Sequence, residues 1–533
     1  MNKIILFLLF SFLLLSVYAK PKVEKKKYTT GKEYAVIAGE DVMNDPEWEK
    51  VVEELQKKHQ ALLFQYKESP SEILQKLQKN TPRYVAFVEK PENIGADYVK
   101  CINQLSRQVD EDIFADFLWG IITGYDANSA MKMVKNATNP LVVRNMLSTS
   151  AFRDASVGEW FERYAWMDDF NMGMWGQKKA NGDIDWQGLN ASGSVQIDAA
   201  SGYAITEFQP VDYFDKFISL YQETMPDCFL TNSYSTNPRW NSDSFSMSDF
   251  HPVSKATAFQ SNLPFCDIAA IKAKNGYWYA DYPEAKPLPE TGKPKVYIAA
   301  GDNFGGDVAH SKESMSIAWM SGGNAAAVIG YVAPNWFGIG SFGIVKYWIT
   351  NAGRYSLPEA AFLNRQHIIS LLNRWHPTLA TMNFPYTHID QAIDIIATTS
   401  GIKNPTRAEI GCLYDRDVMA YYGDPKWNVR LQEHPGSRNF TVTSEQNNDQ
   451  YIITIVTHSD FTMQSLAGNH YQPECTLDLP FSYFFPQRLP NAHLADGQKW
   501  DIALDENFIF VYNADFEPNQ TYRIVLKMRT DNK

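Results

Sequence analysis

Apolar and polar positions along this chain follow two different patterns. From Glu33 to about residue 373, short apolar runs alternate with stretches of helical spacing. Tyr34–Ala38, Ala61–Tyr66, Tyr84–Val88 and Phe117–Thr123 are bounded by turn or charged residues and read as buried strands. Pro46–Lys58, Ser71–Gln78 and Ala96–Gln108 lie between them, with apolar residues recurring every three or four positions, and read as helices. The alternation returns with a helix over Tyr213–Glu223 and strands at Cys228–Thr231, Phe245–Ser248, Val296–Ala300 and Ala325–Val332. Further helices are expected over Ser311–Ser321, Gly343–Asn351 and Leu357–Asn373. Parallel strands need crossovers, and crossover helices cover the sheet, so the pattern predicts a mostly parallel sheet with helices on both faces. A block from about 150 to 205, rich in Trp, Met, Asp and Gly, breaks the rhythm as an insertion or loop-rich junction.

After about residue 436 the period shortens to two. Asn439–Thr443, Tyr451–Thr457, Ile502–Leu504, Phe508–Tyr512 and Tyr522–Met528 read as strands separated by turns such as Asn447-Asn448-Asp449. They predict a small β-sandwich. The expected organisation is a signal peptide (1–19), a lysine-rich flexible linker (20–33) and two α/β subdomains (34–150 and 151–435). A sandwich domain (436–533) closes it.

The first segment carries Lys3, an apolar core from Ile4 to Leu15, and Val17-Tyr18-Ala19, the form of a secretory signal cut after Ala19. The mature chain is therefore expected to be secreted or periplasmic. No later run is apolar for long enough to span a bilayer, so no transmembrane segment is expected. A net charge of −12 disfavours nucleic acid as a partner. The five cysteines are scattered, without a CxxC pair or metal-ligand spacing, so neither a metal nor a cofactor is expected.

The strand Val296–Ala300 runs into Gly301-Asp302-Asn303-Phe304-Gly305-Gly306, a small-residue loop of the kind that receives ligands at strand ends. The loop holds neither Cys nor Ser. Its glycines complete neither a dinucleotide fingerprint nor a Walker loop.

Four segments resemble the gingipain-type cysteine peptidases, which share the caspase-like α/β fold. They are Tyr84–Val88 followed by Asp116–Asn128; Ile298–Gly306 with the helix Ser314–Met320; Ala327–Gly338; and Leu413–Trp427, which contains Gly423-Asp424-Pro425. The resemblance implies a caspase/gingipain-like sheet followed by an immunoglobulin-like sandwich. It also implies a His at one strand end and a Cys at the next, acting as base and nucleophile. By order, His251 stands at the base position and Asn303 where the Cys is expected, with Gly301, Asp302, Gly305 and Gly306 forming the oxyanion and cleft loop.

Two departures follow. An amide cannot form the thioester intermediate, and Pro252, just after His251, has no N–H for the oxyanion. Losing one such donor costs about 10²–10³ in rate, and losing the nucleophile costs more. The resemblance therefore implies a pseudoenzyme that binds a peptide or protein, with a glycan as alternative ligand. The competing reading is an active peptidase with a displaced nucleophile.

Other residues have plainer explanations. His310 either approaches His251 or begins the helix at Ser311. Cys266 lacks a glycine loop, and Cys228 opens its strand at the end opposite a parallel-sheet site, so both read as buried small hydrophobes. Asp168, Asp169, Asp183 and Asp185 stand among Trp160, Trp166, Trp175 and Trp186, the chemistry of a sugar cleft or of junction packing.

Overall fold

The computed structural model describes residues 33–148, 161–167, 174–178, 182, 184–188, 196–197, 204–205, 210–231, 234–235, 249–251, 271–281, 285–288, 292–299, 305–333, 345–349, 351–385, 389–433, 439–463, 466 and 480–528. The expected signal peptide and linker lie outside them. Among the described residues no helix is long and apolar enough to cross a membrane.

In chain order the first strands are β1 (Tyr34–Gly39), β2 (Leu62–Tyr66), β3 (Tyr84–Val88), β4 (Leu118–Ile122), β5 (Leu141–Val143) and β6 (Asn145–Ser148). The Trp-rich block supplies β7 (Arg163–Met167), β8 (Met174–Lys178) and β9 (Ile184–Gly188), then a short hairpin of β10 (Gln196–Ile197) and β11 (Ala204–Ile205). Next come β12 (Cys228–Thr231), β13 (Tyr234–Ser235), β14 (Asp249–His251), β15 (Ile271–Lys274), β16 (Tyr277–Asp281) and β17 (Ala285–Pro287). β18 (Lys295–Ala299), β19 (Ala325–Tyr331), β20 (Met419–Gly423) and β21 (Val429–Leu431) complete the α/β body.

Twelve of these form one sheet in the order β2-β1-β3-β4-β20-β19-β18-β12-β6-β7-β8-β9. β1 to β4 pair in parallel, as do β19, β18, β12, β6 and β7; β20 runs antiparallel to β19, and β8 and β9 form an antiparallel edge. The central strands are continuous apolar runs because both faces are covered. Helices Pro46–His59, Ala127–Asn136 and Met315–Ser321 pack together against one face. Leu357–Trp375 lies against β4 on the other, joined to Ala96–Ser106 through the segment before β20, where Asn103 Nδ2 donates to Asp417 O at 3.0 Å.

The expected mostly parallel α/β sheet is observed, with two local differences. Met315–Ser321 starts later than its periodicity suggests, because Ala309 and His310 take positive φ (51° and 57°) and Ser314 Oγ caps Ile317 N–H. The segment expected as a helix over 343–351 contains one π-turn, Val345–Ile349. The expected strand Phe245–Ser248 lies outside the described residues.

The C-terminal region is a β-sandwich, as expected. β22 (Phe440–Asn447), β23 (Gln450–Thr457), β25 (His493–Leu494) and β28 (Thr521–Lys527) form a sheet in the order β22-β23-β28-β25. β24 (Phe481–Phe484), β26 (Ile502–Leu504) and β27 (Phe508–Val511) form the other, in the order β24-β27-β26. Ile453, Ile455, Ile524 and Leu526 of the first sheet and Phe481, Ile509 and Val511 of the second share a core. The sandwich is also fused to the body, since Phe484, Phe508 and Phe510 belong to the body's apolar core.

Candidate functional site

Residues at the carboxyl ends of parallel strands face open space where crossovers diverge. β12 and β18 are adjacent and in register, Cys228 opposite Val296 and Thr231 opposite Ala299. Three residues beyond Thr231, Tyr234 of β13 pairs with His251, the last residue of β14. The segment bearing His251 is thus tethered close to the end of β12, beside the strand that leads into Gly301–Phe304. Pro252, Gly301, Asp302, Asn303 and Cys266 lie outside the described residues, as does the His251 side chain.

The foot of that loop is described. Gly306 N–H donates to Tyr331 O at 2.9 Å, and Tyr422 Oη–H donates to Gly306 O at 2.6 Å. A Cβ on Gly306 would stand 2.4 Å from the carbonyl of Gly330, so glycine is required for the loop to rest on the backbone of β19. Gly305 is buried beside it. Asp307 then accepts from Ala309 N–H at 2.9 Å.

The His251 side chain lies outside the described residues, and His310 does not begin the helix. Its N–H donates to Ile94 O at 2.7 Å, and Nδ1 lies 2.9 Å from Glu92 O. It thus stands four residues before the Ser314 cap and packs on the turn after β3. Gly95 is glycine for this reason: a Cβ there would meet the His310 ring at 2.3 Å. The contact also puts the carboxyl ends of β3 and β19 on one edge of the sheet.

On that edge lies a cavity that sequence reasoning missed. The chain passes from β1 to β2 on one side and then to β3 on the other, so the crevice at the ends of β1 and β3 is a topological switch point. A cavity of about 630 Å³ opens there. Glu89, one residue past β3, is buried, with Oε2 accepting from Tyr66 Oη–H at the end of β2. Glu89 Oε1 accepts from Lys90 N–H and Asn93 Nδ2, both at 2.8 Å. Asn93 Nδ2 also donates to Asp41 at 2.7 Å, and the Tyr66 and Tyr98 hydroxyls stand 3.1 Å apart.

Burial raises the Glu89 carboxyl above its ordinary range, against the opposing pull of its hydrogen bonds to Tyr66 and Asn93. Burial, then the Glu89 charge, also raises Tyr66. Both shifts favour the protonated forms, and among the described residues neither Cys nor Ser lines the cavity. Glu40, Asp41, Glu68 and Glu92 also line the cavity, against Lys67. Among the described residues no three His, Cys, Asp or Glu side chains could hold a metal ion together. Tyr66 and Glu89 were visible as polar ends of apolar runs, but the pairing order that brings them together was not.

The described thiols are not placed for catalysis. Cys228 is fully buried at the amino end of β12, and burial raises its thiol far above the usual range. Cys412 is buried in the helix Arg407–Asp415, and Cys101 lies 3.6 Å from Ser69 Oγ. All three are free of disulfides.

In the Trp-rich block, Trp166 is only 5% exposed and offers no open face to a sugar. Lys216 Nζ sits over the half-buried Trp175 ring, 3.4 Å from its centroid. Asp185 lies in β9 opposite Gln177. Asp168, Asp169, Asp183 and Trp160 lie outside the described residues.

No family model matches the chain, and no curated protein does. Among solved structures it is similar to the Arg-specific cysteine proteinase gingipain R (RgpB), with 9% identity and a TM-score of 0.38 over 95% of this chain and 94% of that one. It is also similar to the complex of the Porphyromonas gingivalis RgpB pro- and mature domains, with 11% identity and a TM-score of 0.36 over 93% of each chain. Likenesses this slight carry no argument about individual residues.

Proposed function

We propose that the protein is an exported, peptidase-like binding protein that takes a peptide or protein segment at the carboxyl ends of β12 and β18 and does not cleave it. The observation that supports this most is the parallel, in-register pairing of those strands. The His251 hairpin and the loop containing Asn303 leave the sheet from neighbouring strands, as a base and a nucleophile would. The sequence puts an amide at one position and a proline after the other. The three described thiols are also unsuitable, being buried, raised or remote from that edge.

The test is incubation of the purified mature protein with a broad peptide library, read for cleavage by mass spectrometry and for binding by calorimetry. Binding without turnover is expected, and it should weaken in His251→Ala. Turnover lost on Cys266→Ala or His251→Ala would instead establish an active cysteine peptidase with a displaced nucleophile.

A further inference from the structure

The cavity at the ends of β1, β2 and β3 has a floor laid down by the register of the sheet. Gly39 stands opposite Tyr66 in the ladder of β1 and β2, and Ala38 opposite Val88 in that of β1 and β3. Glu89 follows Val88, so Tyr66, Gly39 and Glu89 continue one transverse row on one face. Glu89 N–H donates to Ile122 O at 3.2 Å, which carries the row on to Thr123 beyond β4. A Cβ on Gly39 would stand 2.8 Å from Asp41 Oδ1 and 3.0 Å from Glu89 Oε2. Glycine there lets the polar side chains converge. Thr123 is fully buried, and its hydroxyl has no hydrogen-bond partner among the described residues. Buried hydroxyls are normally filled, by ordered water or by a ligand.

Floor and rim differ in exposure. Tyr66, Glu89 and Tyr98 are buried, whereas Glu40, Asp41, Lys67, Glu68 and Glu92 are exposed, so a solute reaches the floor past a charged rim. Glu92 is neutralised by Lys312 at 3.0 Å, and Lys90 by Asp45 at 3.0 Å. Among the described residues Glu40, Asp41 and Glu68 have no ion pair, and they face Lys67 alone. At the floor, Glu89 Oε1 is filled by Lys90 N–H and the Asn93 amide. The Tyr66 hydroxyl hydrogen goes to Glu89 Oε2, so Tyr98 Oη–H donates to Tyr66 Oη and keeps its own lone pairs. Acceptors at depth beneath a negative rim select a cation. No three of the described carboxylates could hold a metal ion together, and about 630 Å³ is the size of a small-molecule site.

We propose that this cavity binds a small organic amine, with one ammonium group on Glu89 Oε2 and Tyr98 Oη and the chain running out toward Glu40, Asp41 and Glu68. The N–H donors of an ammonium match those acceptors in charge and kind. Burial favours the protonated form of Glu89, so the arriving ammonium takes the place of that proton, which leaves for solvent. The other ionisable groups around Glu89 are Asp41 after β1, Tyr66 on β2, Lys90 and Glu92 beyond β3, and Tyr98 on the helix Ala96–Ser106. His310 stands against Glu92 O, and burial holds Tyr66 and Tyr98 neutral. The site is separate from the cleft proposed at β12 and β18 and does not rest on it.

The test is calorimetric titration of the full mature protein with 1,4-diaminobutane, alongside 1,4-butanediol, which has the same reach without the charge. The diamine is expected to bind about tenfold or more tightly than the diol. Its affinity should rise from about pH 5 to about pH 8, as the Glu89 proton becomes easier to displace. Glu89→Gln keeps the shape of the floor; it should weaken the diamine about tenfold and abolish that rise. Asp41→Asn, a change at the exposed rim, should weaken it about threefold. No diamine binding, equal affinity for the diol, or diamine affinity unchanged by Glu89→Gln or by Asp41→Asn overturns the proposal. Displacement of the diamine by an equal concentration of calcium chloride overturns it in favour of a metal site.

Discussion

Two buried carboxyl groups at opposite edges of one sheet have been driven in opposite directions. Glu89, at the carboxyl edge, has hydroxyl and amide donors but no cation at hydrogen-bond distance, and burial raises it. Asp424, at the amino edge, is just as deeply buried. Burial raises it too, but His59 Nε2 at 2.6 Å and Lys58 Nζ at 2.9 Å outweigh that and hold it far below the carboxylate range. Tyr34 Oη–H at 2.9 Å and Lys426 N–H at 3.0 Å complete its shell. Depth alone therefore does not set the charge state; the partners do. Asp424 ties β20 to the first strand and the first long helix, whereas Glu89 faces a cavity.

The sharpest way to break the comparison is Asp424→Ala. It takes the shared carboxylate from Lys58, His59 and Tyr34 and should cost about 3–5 kcal/mol in urea unfolding; a loss below about 1 kcal/mol would remove its structural role. Acid should expose the same logic at Asp417. Burial there is outweighed by Arg107 at 2.7 Å and Arg416 at 2.8 Å, which bring it down to about 2. Because the folded value is depressed, its stabilisation is complete above the unfolded value near 4 and fades as pH falls toward 2, by about 2 kcal/mol. The melting temperature of Asp417→Asn should accordingly be flatter than that of the natural protein across that window. Glu89 has the opposite sign: a raised carboxyl is stabilising only while protonated, so stability declines as pH rises through its folded value. Glu89→Gln should therefore raise stability at pH 7 and leave it unchanged near pH 4, measured by paired thermal melts. A Glu89→Gln protein weakened at pH 7 would show that the charge itself is needed.

The elements most legible in the sequence were those whose apolar pattern is self-sufficient. β1, β3 and β4 are continuous runs buried on both faces, and Pro46–His59 carries Asp45 as its cap and Pro at its first turn. In the sandwich, β22, β23, β26, β27 and β28 lie where apolar runs predict strands, and β23 alternates along its length, whereas no strand is expected at β24 or β25. Less legible were features set by distant partners. The late start of Met315–Ser321 depends on a turn held by Ile94, and the place of β20 between β4 and β19 depends on pairing residues as far apart as Ile121 and Tyr422. The cavity at Glu89 needed the reversal of strand order around β1, which no local window contains. Of the residues expected at the cleft, Gly306 has a packing reason of its own, and His251 has its backbone in a strand.

The sandwich and the body hold one another by crossed arginines. Arg83, from the turn before β3, donates to Phe485 O at 2.6 Å and Pro486 O at 3.0 Å. Arg488, from the sandwich, reaches back to Thr81 O and to Pro82 O at 2.7 Å. Each arm is gripped by the backbone of the other domain, so the two cannot swing without breaking both. Mechanically this makes a load path: tension on the C-terminal strand β28 passes through the sandwich into the turn before β3, the third strand from one edge of the great sheet. A tether at that end would load the two arginine clasps before the sheet itself.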